Sequence, residues 1–163
     1  MDNKHSIYPT KKQNASWRVE FPKIFGFSII EKKQDIPTGN DILWTTRCSK
    51  IKGCTASIPK NLYLSKLNIQ FYKVMDDNNL RYAILSDKYG LHFDDEVMEL
   101  YDTHPSQLHE EDKINLGKMI KQKCIERGYN KIIFYNDRFF YKNTFDWKDV
   151  YLFSVYILLY SGF

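Results

Sequence analysis

The sequence predicts an α/β fold: a mostly parallel sheet in three layers with flanking helices, and a candidate β-hairpin at the N-terminal side. Three observations carry this. A strand-like run at Asp41 to Arg47 is followed by a helix pattern and then by a second apolar run at Leu80 to Leu85. A long amphipathic segment from Ser106 to Arg127 leads into a third run, Lys131 to Tyr135. Strands that alternate with helices in this way form right-handed crossover units whose strands lie parallel.

The totals fit such a fold. With 163 residues, 43% hydrophobic and 27% charged, the chain has the size and balance of one globular domain. Residues 1–16 are polar, Lys-rich and unpatterned, and read as a mobile tail ahead of a single domain over 17–163. A net charge of +4 admits a phosphate-bearing partner without demanding one, because 24 basic residues are interleaved with 20 acidic ones. Three cysteines make no disulfide framework, which points to a reducing cytoplasm. No secretory leader is visible, and the apolar run Val150 to Phe163 is too short to span a bilayer, so no membrane partner is expected.

The elements follow in order. Trp17 to Phe21 alternates apolar and polar residues, and Phe25 to Ile30 reads as a second strand; together they make the candidate hairpin. Asp41 to Arg47 is the first core strand candidate. Cys48 to Ser57 is a polar loop of small residues. Leu64, Leu67, Phe71 and Met75 recur at helical spacing, which predicts a helix over Asn61 to Asp76 with Asn61 as a cap. The strand Leu80 to Leu85 ends in Ser86-Asp-Lys-Tyr-Gly90, where Gly90 supplies a sharp exit. Leu91 to Pro105 reads as irregular and acidic. Ser106 is a candidate cap for the helix to Arg127, whose early acids and late bases suit the helix dipole, with Gly128 after it. Lys131 to Tyr135 is the third strand. Asn136 to Arg138 is a loop, and Phe139 to Asn143 is a short strand or a helix entry. A last helix, capped by Thr144 or Asp146, would place Val150, Phe153, Ile157 and Tyr160 on one face; for the tail end Tyr160-Ser-Gly-Phe163 a frayed or strand-like terminus is the alternative.

The chemistry-bearing residues cluster where this topology puts loops together. Parallel strands bring Cys48 and Ser86 to the same carboxyl edge, where α/β sheets bind their ligands. Cys48 stands among Arg47, Lys50 and Lys52, cations that favour a thiolate, and Ser49 with its neighbouring amides offers an anion cradle. The inert alternative is a small residue at a strand end followed by a solvated basic loop. In an extended chain Ser86 and Lys88 point to one side and Asp87 to the other. The acids Asp94, Asp95, Glu96, Glu99 and Asp102, with His104 and His109, carry no ligand motif and read as a solvated loop. Cys48 and Cys54 are wrongly spaced for a zinc finger or ribbon, and no Gly-rich nucleotide motif occurs, so neither metal nor cofactor is expected.

Four short motifs in order resemble a conserved domain of unknown function from bacteria, archaea and phages. They are Cys48-Ser-Lys-Ile-Lys52, Leu62-Tyr-Leu-Ser65, Ile84-Leu-Ser-Asp-Lys-Tyr-Gly-Leu91 and Tyr101-Asp102, and the likeness covers roughly residues 42–135. Asp87 stands where that domain usually has Ala, and Leu100 where Pro is common; a carboxylate there is expected to neutralise Lys88 in part. More remotely, Cys48-Ser49-x-x-Lys52 is similar to the Cys-Ser-x-x-Lys motif of archaeosine synthase, which adds an amine to a deazaguanine nitrile in tRNA. The surrounding superfamily is similar to domains associated with tRNA-guanine transglycosylase and to peroxide-stress proteins that bind DNA. The resemblance implies an enzyme acting on a nucleotide, a modified base or nucleic acid. Cys48 would be nucleophile or covalent anchor, Lys52 and Lys88 would hold negative charge, and Ser86 would donate hydrogen bonds. Asp102 would act as base or orient substrate, with Ser49, Tyr89, Gly90 and Tyr101 binding it. The alternative is a non-catalytic module for single-stranded nucleic acid, gripping it by stacking and charge, or a scaffold subunit.

Overall fold

A computed structural model describes residues 27–135 and 154–158. The fold is α/β, built on one mixed six-stranded sheet. Its strands are β1 (Ser28–Ile30), β2 (Ile42–Arg47), β3 (Tyr82–Ser86), β4 (Gly90–Phe93), β5 (Lys131–Tyr135) and β6 (Ser154–Leu158). The spatial order is β1-β6-β5-β2-β3-β4. The pairs β1–β6, β5–β6, β2–β5 and β2–β3 are parallel; β3–β4 is antiparallel. The helices are α1 (Pro59–Leu62), α2 (Lys66–Asp77) and α3 (Glu110–Glu126).

The central strands are apolar on both sides, and their alternation sorts the core into two halves. Leu43, Ala83, Leu85, Ile132 and Phe134 face Leu116, Ile120 and Cys124 of α3. Trp44, Tyr82, Ile84 and Ile133 face Phe71, Tyr72 and Met75 of α2. Burying side chains of this size contributes roughly 1.5–3 kcal/mol each, so these two clusters dominate the stabilisation. Two buried threonines on β2 are satisfied in place: Thr45 donates to the Ile133 carbonyl and Thr46 to that of Tyr135.

Several elements depart from the sequence expectation. The helix expected over 61–76 is two pieces. Asn61 lies inside the single turn of α1, Tyr63 and Leu64 run extended, and Ser65 caps α2 by accepting the Asn68 amide. Tertiary pairing overrides helix propensity here: Gly53 donates to the Leu62 carbonyl and Leu64 to that of Ile51. Gly53 has no room for a Cβ, which would lie 2.4 Å from the Asn61 carbonyl oxygen. The Tyr72 hydroxyl closes the break, lying 2.9 Å from the carbonyls of both Pro59 and Tyr63.

Ser106 does not cap the long helix. It lies in a short 3-10 turn, Pro105–Gln107, and α3 begins at Glu110, where Asp112 accepts the His109 amide at 2.8 Å. Leu91 to Phe93, expected to be irregular, form β4, with Leu91 and Phe93 in the α3 core. The C-terminal run is a strand over residues 154–158, not a helix, and it inserts between β1 and β5. The segments 1–16 and 17–21, the first strand of the candidate hairpin, and residues 136–153 lie outside the described residues; β1 itself pairs parallel to β6.

Gly90 starts β4 at φ 70°, after the loop Asp87 to Tyr89, and opposes Ser86 in the register. This is the left-handed residue that closes a three-residue hairpin loop. A Cβ at Gly90 would also lie 3.1 Å from the Met119 Cβ and 3.2 Å from the Leu116 carbonyl oxygen. Gly90→Ala is therefore expected to cost about 2 kcal/mol, from the left-handed backbone and the crowding against α3 together. Denaturant unfolding measures it, and a midpoint equal to that of the parent protein would contradict this account.

Candidate functional site

The chain leaves β2 toward β3 on one side, while β5, on the other side of β2, is followed by β6. Neighbouring strands whose exits diverge leave a crevice at their carboxyl ends, the usual ligand position in α/β sheets. Cys48 follows β2 at this carboxyl edge, on the side of β3. Its amide donates to the Leu85 carbonyl at 3.0 Å, extending the β2–β3 ladder by one residue. The Arg47 carbonyl accepts the Asn68 side-chain amide at 2.8 Å, which fixes the start of the loop against α2.

The thiol of Cys48 donates to Asp87 Oδ2 at 3.5 Å, and both residues are buried. Asp87 therefore serves the cysteine. The expected neutralisation of Lys88 by Asp87 gives way to a different arrangement, because residues 87–89 turn rather than extend. Lys88 is exposed, with its ammonium 5.4 Å from the Tyr89 ring centroid, and Ser86 is fully buried. The Ser86 oxygen accepts the amides of Lys88 at 3.2 Å and Tyr89 at 3.0 Å, so the serine holds the loop from inside.

Tyrosines close the cluster. Ser86 donates to the Tyr101 hydroxyl at 2.8 Å, and Tyr101 donates to the Tyr63 hydroxyl at 3.3 Å. Beyond Tyr63 lies His92 Nδ1, at 3.2 Å, and His92 Nε2 is 2.6 Å from the Glu96 carbonyl. The rings of Tyr89 and Tyr101 meet edge to face at 5.4 Å. The Lys52 ammonium lies 4.6 Å from the Tyr101 ring centroid, carried there by the pairing of Lys52 with Tyr63. Cys48, Ser86, Asp87, Tyr101 and Lys52 thus share one site.

Other expected members stand apart from this cluster. Asp102 is exposed and makes no hydrogen bond among the described residues, while Tyr101 beside it points inward. Ser49 turns its hydroxyl to the Ile51 carbonyl at 2.6 Å, so it holds its own loop. Gly90 acts through the backbone, as described above. Tyr89 donates to the Glu99 carbonyl at 3.1 Å and forms an outer wall.

Electrostatics hold the cysteine neutral. Burial, followed by the Asp87 carboxylate, pushes the Cys48 thiol from 9.0 to about 12, outweighing the Asp87 backbone amide, the nearby Tyr101 hydroxyl and the charge of Lys52, which favour the thiolate. Burial likewise raises the phenols of Tyr63 and Tyr101 and lowers the His92 imidazolium. What the cluster offers is a neutral thiol with a carboxylate already placed to take its proton.

The acidic loop is ion-paired. Asp94 and Asp95 meet Arg81, and Asp95 and Glu96 meet Arg127. Among the described residues no three His, Cys, Asp or Glu side chains gather to hold a metal ion. A cleft of about 470 Å³ lies at the opposite, amino end of β2 and β3, lined by residues that include Trp44, Asn79, Arg81 and Tyr129. It contains none of the candidate residues. Arg81 on its wall is already committed to Asp94 and Asp95, and the strand ends there are not the ones that carry ligands in such sheets. No helix among the described residues is long and apolar enough to cross a membrane.

Residues 46–149, more than half of the chain, match a family of unknown function, DUF6884, and the protein belongs to that family. No curated protein and no solved structure gives a significant match. The family match begins one residue before Arg47, so it takes in every residue of the cluster.

The buried thiols make stability sensitive to alkali. Cys48 and Cys124 both move from 9.0 to about 12 on folding. Between those values the unfolded chain has released protons that the native state retains, so stability falls as pH rises; below pH 9 these groups have no effect. Urea midpoints measured from pH 8 to 11 are expected to drop above pH 9, less steeply in Cys124→Ala. A midpoint that stays level to pH 11 would refute the assigned burial.

Proposed function

We propose that this DUF6884 domain is an enzyme of nucleotide or nucleobase chemistry, with Cys48 as the reacting group. The observation that carries the reading is the Cys48–Asp87 pair at the carboxyl ends of β2 and β3, with Lys52 beside it. The sulfur would bond to an electrophilic carbon of the base as the thiol proton passes to Asp87 Oδ2. The displaced electron pair would settle on the adjacent ring or nitrile nitrogen, stabilised by Lys52. The base role that the resemblance implies for Asp102 falls in this scheme to Asp87, which touches the thiol. Lys88, free in solvent at the rim, would meet a phosphate. The similarity of Cys48-Ser49-x-x-Lys52 to archaeosine synthase narrows the favoured substrates to modified guanines and their nucleotides.

One observation favours a second reading, a non-catalytic nucleic-acid module or scaffold subunit: Cys48 is quiet, with its pKa pushed up to about 12. Between these two, the tyrosines around it, tied into hydrogen bonds rather than open for stacking, favour the scaffold.

Thermal unfolding in the presence of nucleotides and deazaguanine bases separates the two. A ligand at a hundred times its dissociation constant stabilises by about 2.7 kcal/mol, a shift of several degrees. The enzyme reading expects such a shift with a base or nucleotide, reduced in Lys52→Ala, and a mass adduct or turnover that Cys48→Ser and Asp87→Asn abolish. If no base or nucleotide shifts the transition, and oligonucleotide binding falls steeply with salt yet ignores Cys48→Ser, the second reading replaces the first.

A further inference from the structure

A buried hydrogen-bond chain leads away from Cys48, and its direction follows from donor chemistry. The Glu96 carbonyl can only accept, so His92 Nε2, 2.6 Å from it, carries the proton. Burial lowers the His92 pKa below its ordinary 6.5, so the ring is neutral at pH 7 and Nδ1 is an acceptor. The Tyr63 hydroxyl, 3.2 Å from Nδ1, must donate to it. Tyr63 in turn accepts from Tyr101, and Tyr101 accepts from Ser86. Every proton in the chain points away from the site. The groups facing His92 are few. The Glu96 carboxylate favours its charged form, Lys123 on α3 opposes it, and the rings of Tyr63 and Tyr89 stand edge-on to it.

We propose that His92, acting through Tyr63, sets the direction of the Tyr101 hydroxyl at Cys48, and is thereby a positioning residue for the thiol chemistry. The proposal rests on the reading of Cys48 as the reacting group. With neutral His92, the Tyr101 proton is committed to Tyr63 and is turned from the sulfur. A proton taken up from solvent at His92 Nδ1 donates to the Tyr63 oxygen. Tyr63 then turns its proton to Tyr101, and Tyr101 must find another acceptor. The Ser86 oxygen already receives two backbone amides, which fill its lone pairs. Cys48 remains, with its sulfur within hydrogen-bonding reach of the Tyr101 hydroxyl, and a donor on sulfur stabilises the thiolate. No proton is lost along the way: one enters at His92 and two hydroxyls rotate. By linkage, a thiolate at Cys48 raises the proton affinity of His92 by the same factor.

The test is alkylation of Cys48 by iodoacetamide in the ligand-free protein at pH 9, read by peptide mass in a Cys54→Ser background. Tyr63→Phe deletes the acceptor that holds the Tyr101 proton, so Cys48 is expected to react about tenfold faster, the worth of a hydrogen bond to a charged group. Tyr101→Phe deletes the donor, so the rate is expected to stay level or fall. Opposite responses support the proposal. Equal acceleration in both variants would mean that loosened packing exposes the thiol, and would overturn it, as would no change in either. Nitrogen NMR of the parent protein reads the chain without substitution: a proton on His92 Nε2 at pH 7 is expected, and one on Nδ1 overturns the proposal even if Tyr63→Phe fails to fold. Neither measurement uses a nucleotide, so the absence of any ligand shift would count against the functional reading and leave this result standing.

Discussion

The register of β2 against β3 is the constraint on which the carboxyl edge depends. Thr46 lies opposite Ile84 and Arg47 opposite Leu85, so the next residue, Cys48, donates to the Leu85 carbonyl and its thiol meets Asp87. A slip of one residue would carry every side chain of β2 to the other face. Both faces are buried, so exposure is not what forbids the slip. Trp44 would have to enter the α3 core in a place shaped for Leu43, and overpacking of that kind costs about 1–3 kcal/mol at each misplaced residue. Several such penalties exceed the whole stability of an ordinary domain, roughly 5–15 kcal/mol. Apolar packing thus fixes the polar pair, although neither Cys48 nor Asp87 contributes to the choice.

The polar cluster imposes a second constraint, on the loops. Each unsatisfied buried polar group costs about 1–3 kcal/mol, so Ser86, Tyr101, Tyr63 and His92 are stable inside only as a completed set. Completing it requires residues from four separate stretches: the end of β3, β4, the segment ending at Tyr101, and the break between α1 and α2. The break explains itself in these terms. A continuous helix through Tyr63 would withdraw its hydroxyl from Tyr101 and His92, and the backbone groups freed by breaking it are taken up by Ile51, Gly53 and Tyr72. Lys52 arrives over Tyr101 as a consequence of the same pairing.

What periodicity encodes was legible in the sequence, and what tertiary pairing decides was not. The parallel β2–α2–β3 unit follows from spacing alone, and with it the nearness of Cys48 to the loop after β3. The break at Tyr63 had no local signal except Gly53, whose close approach to Asn61 involves a segment with no periodic pattern. β4 was hidden because it opens on a glycine and runs into acids, although the alternation of Leu91, His92 and Phe93 is that of a strand. The C-terminal run fits a helical repeat as well as an alternating one; β-branched Val155 and Ile157 in sequence are the residues that favour a strand. His92 gave no motif to find, and Tyr63 stood in the Leu62-Tyr-Leu-Ser65 motif with no role assigned. Their part depends on the hairpin turning His92 toward α1, a contact between residues 29 positions apart.

The quiet state of Cys48 bears on the chemistry the site can support. A thiol held near pKa 12 has almost no thiolate at pH 7, which excludes a preformed nucleophile of the kind that adjacent cations create. It does not exclude attack assisted by a base. With Asp87 in contact, the proton can leave as the carbon–sulfur bond forms, and no free thiolate need accumulate. Intrinsic nucleophilicity rises with thiol pKa, so the attacking sulfur is more reactive at the moment of transfer than a low-pKa thiolate would be. The same arrangement protects the resting protein: a neutral, buried thiol resists alkylation and oxidation until a ligand presents an electrophile to it. On the proposed reading, burial of Cys48 both holds the thiol neutral and restricts its reactivity to bound substrate, and the carboxylate that adds to that neutrality is also the group that releases it.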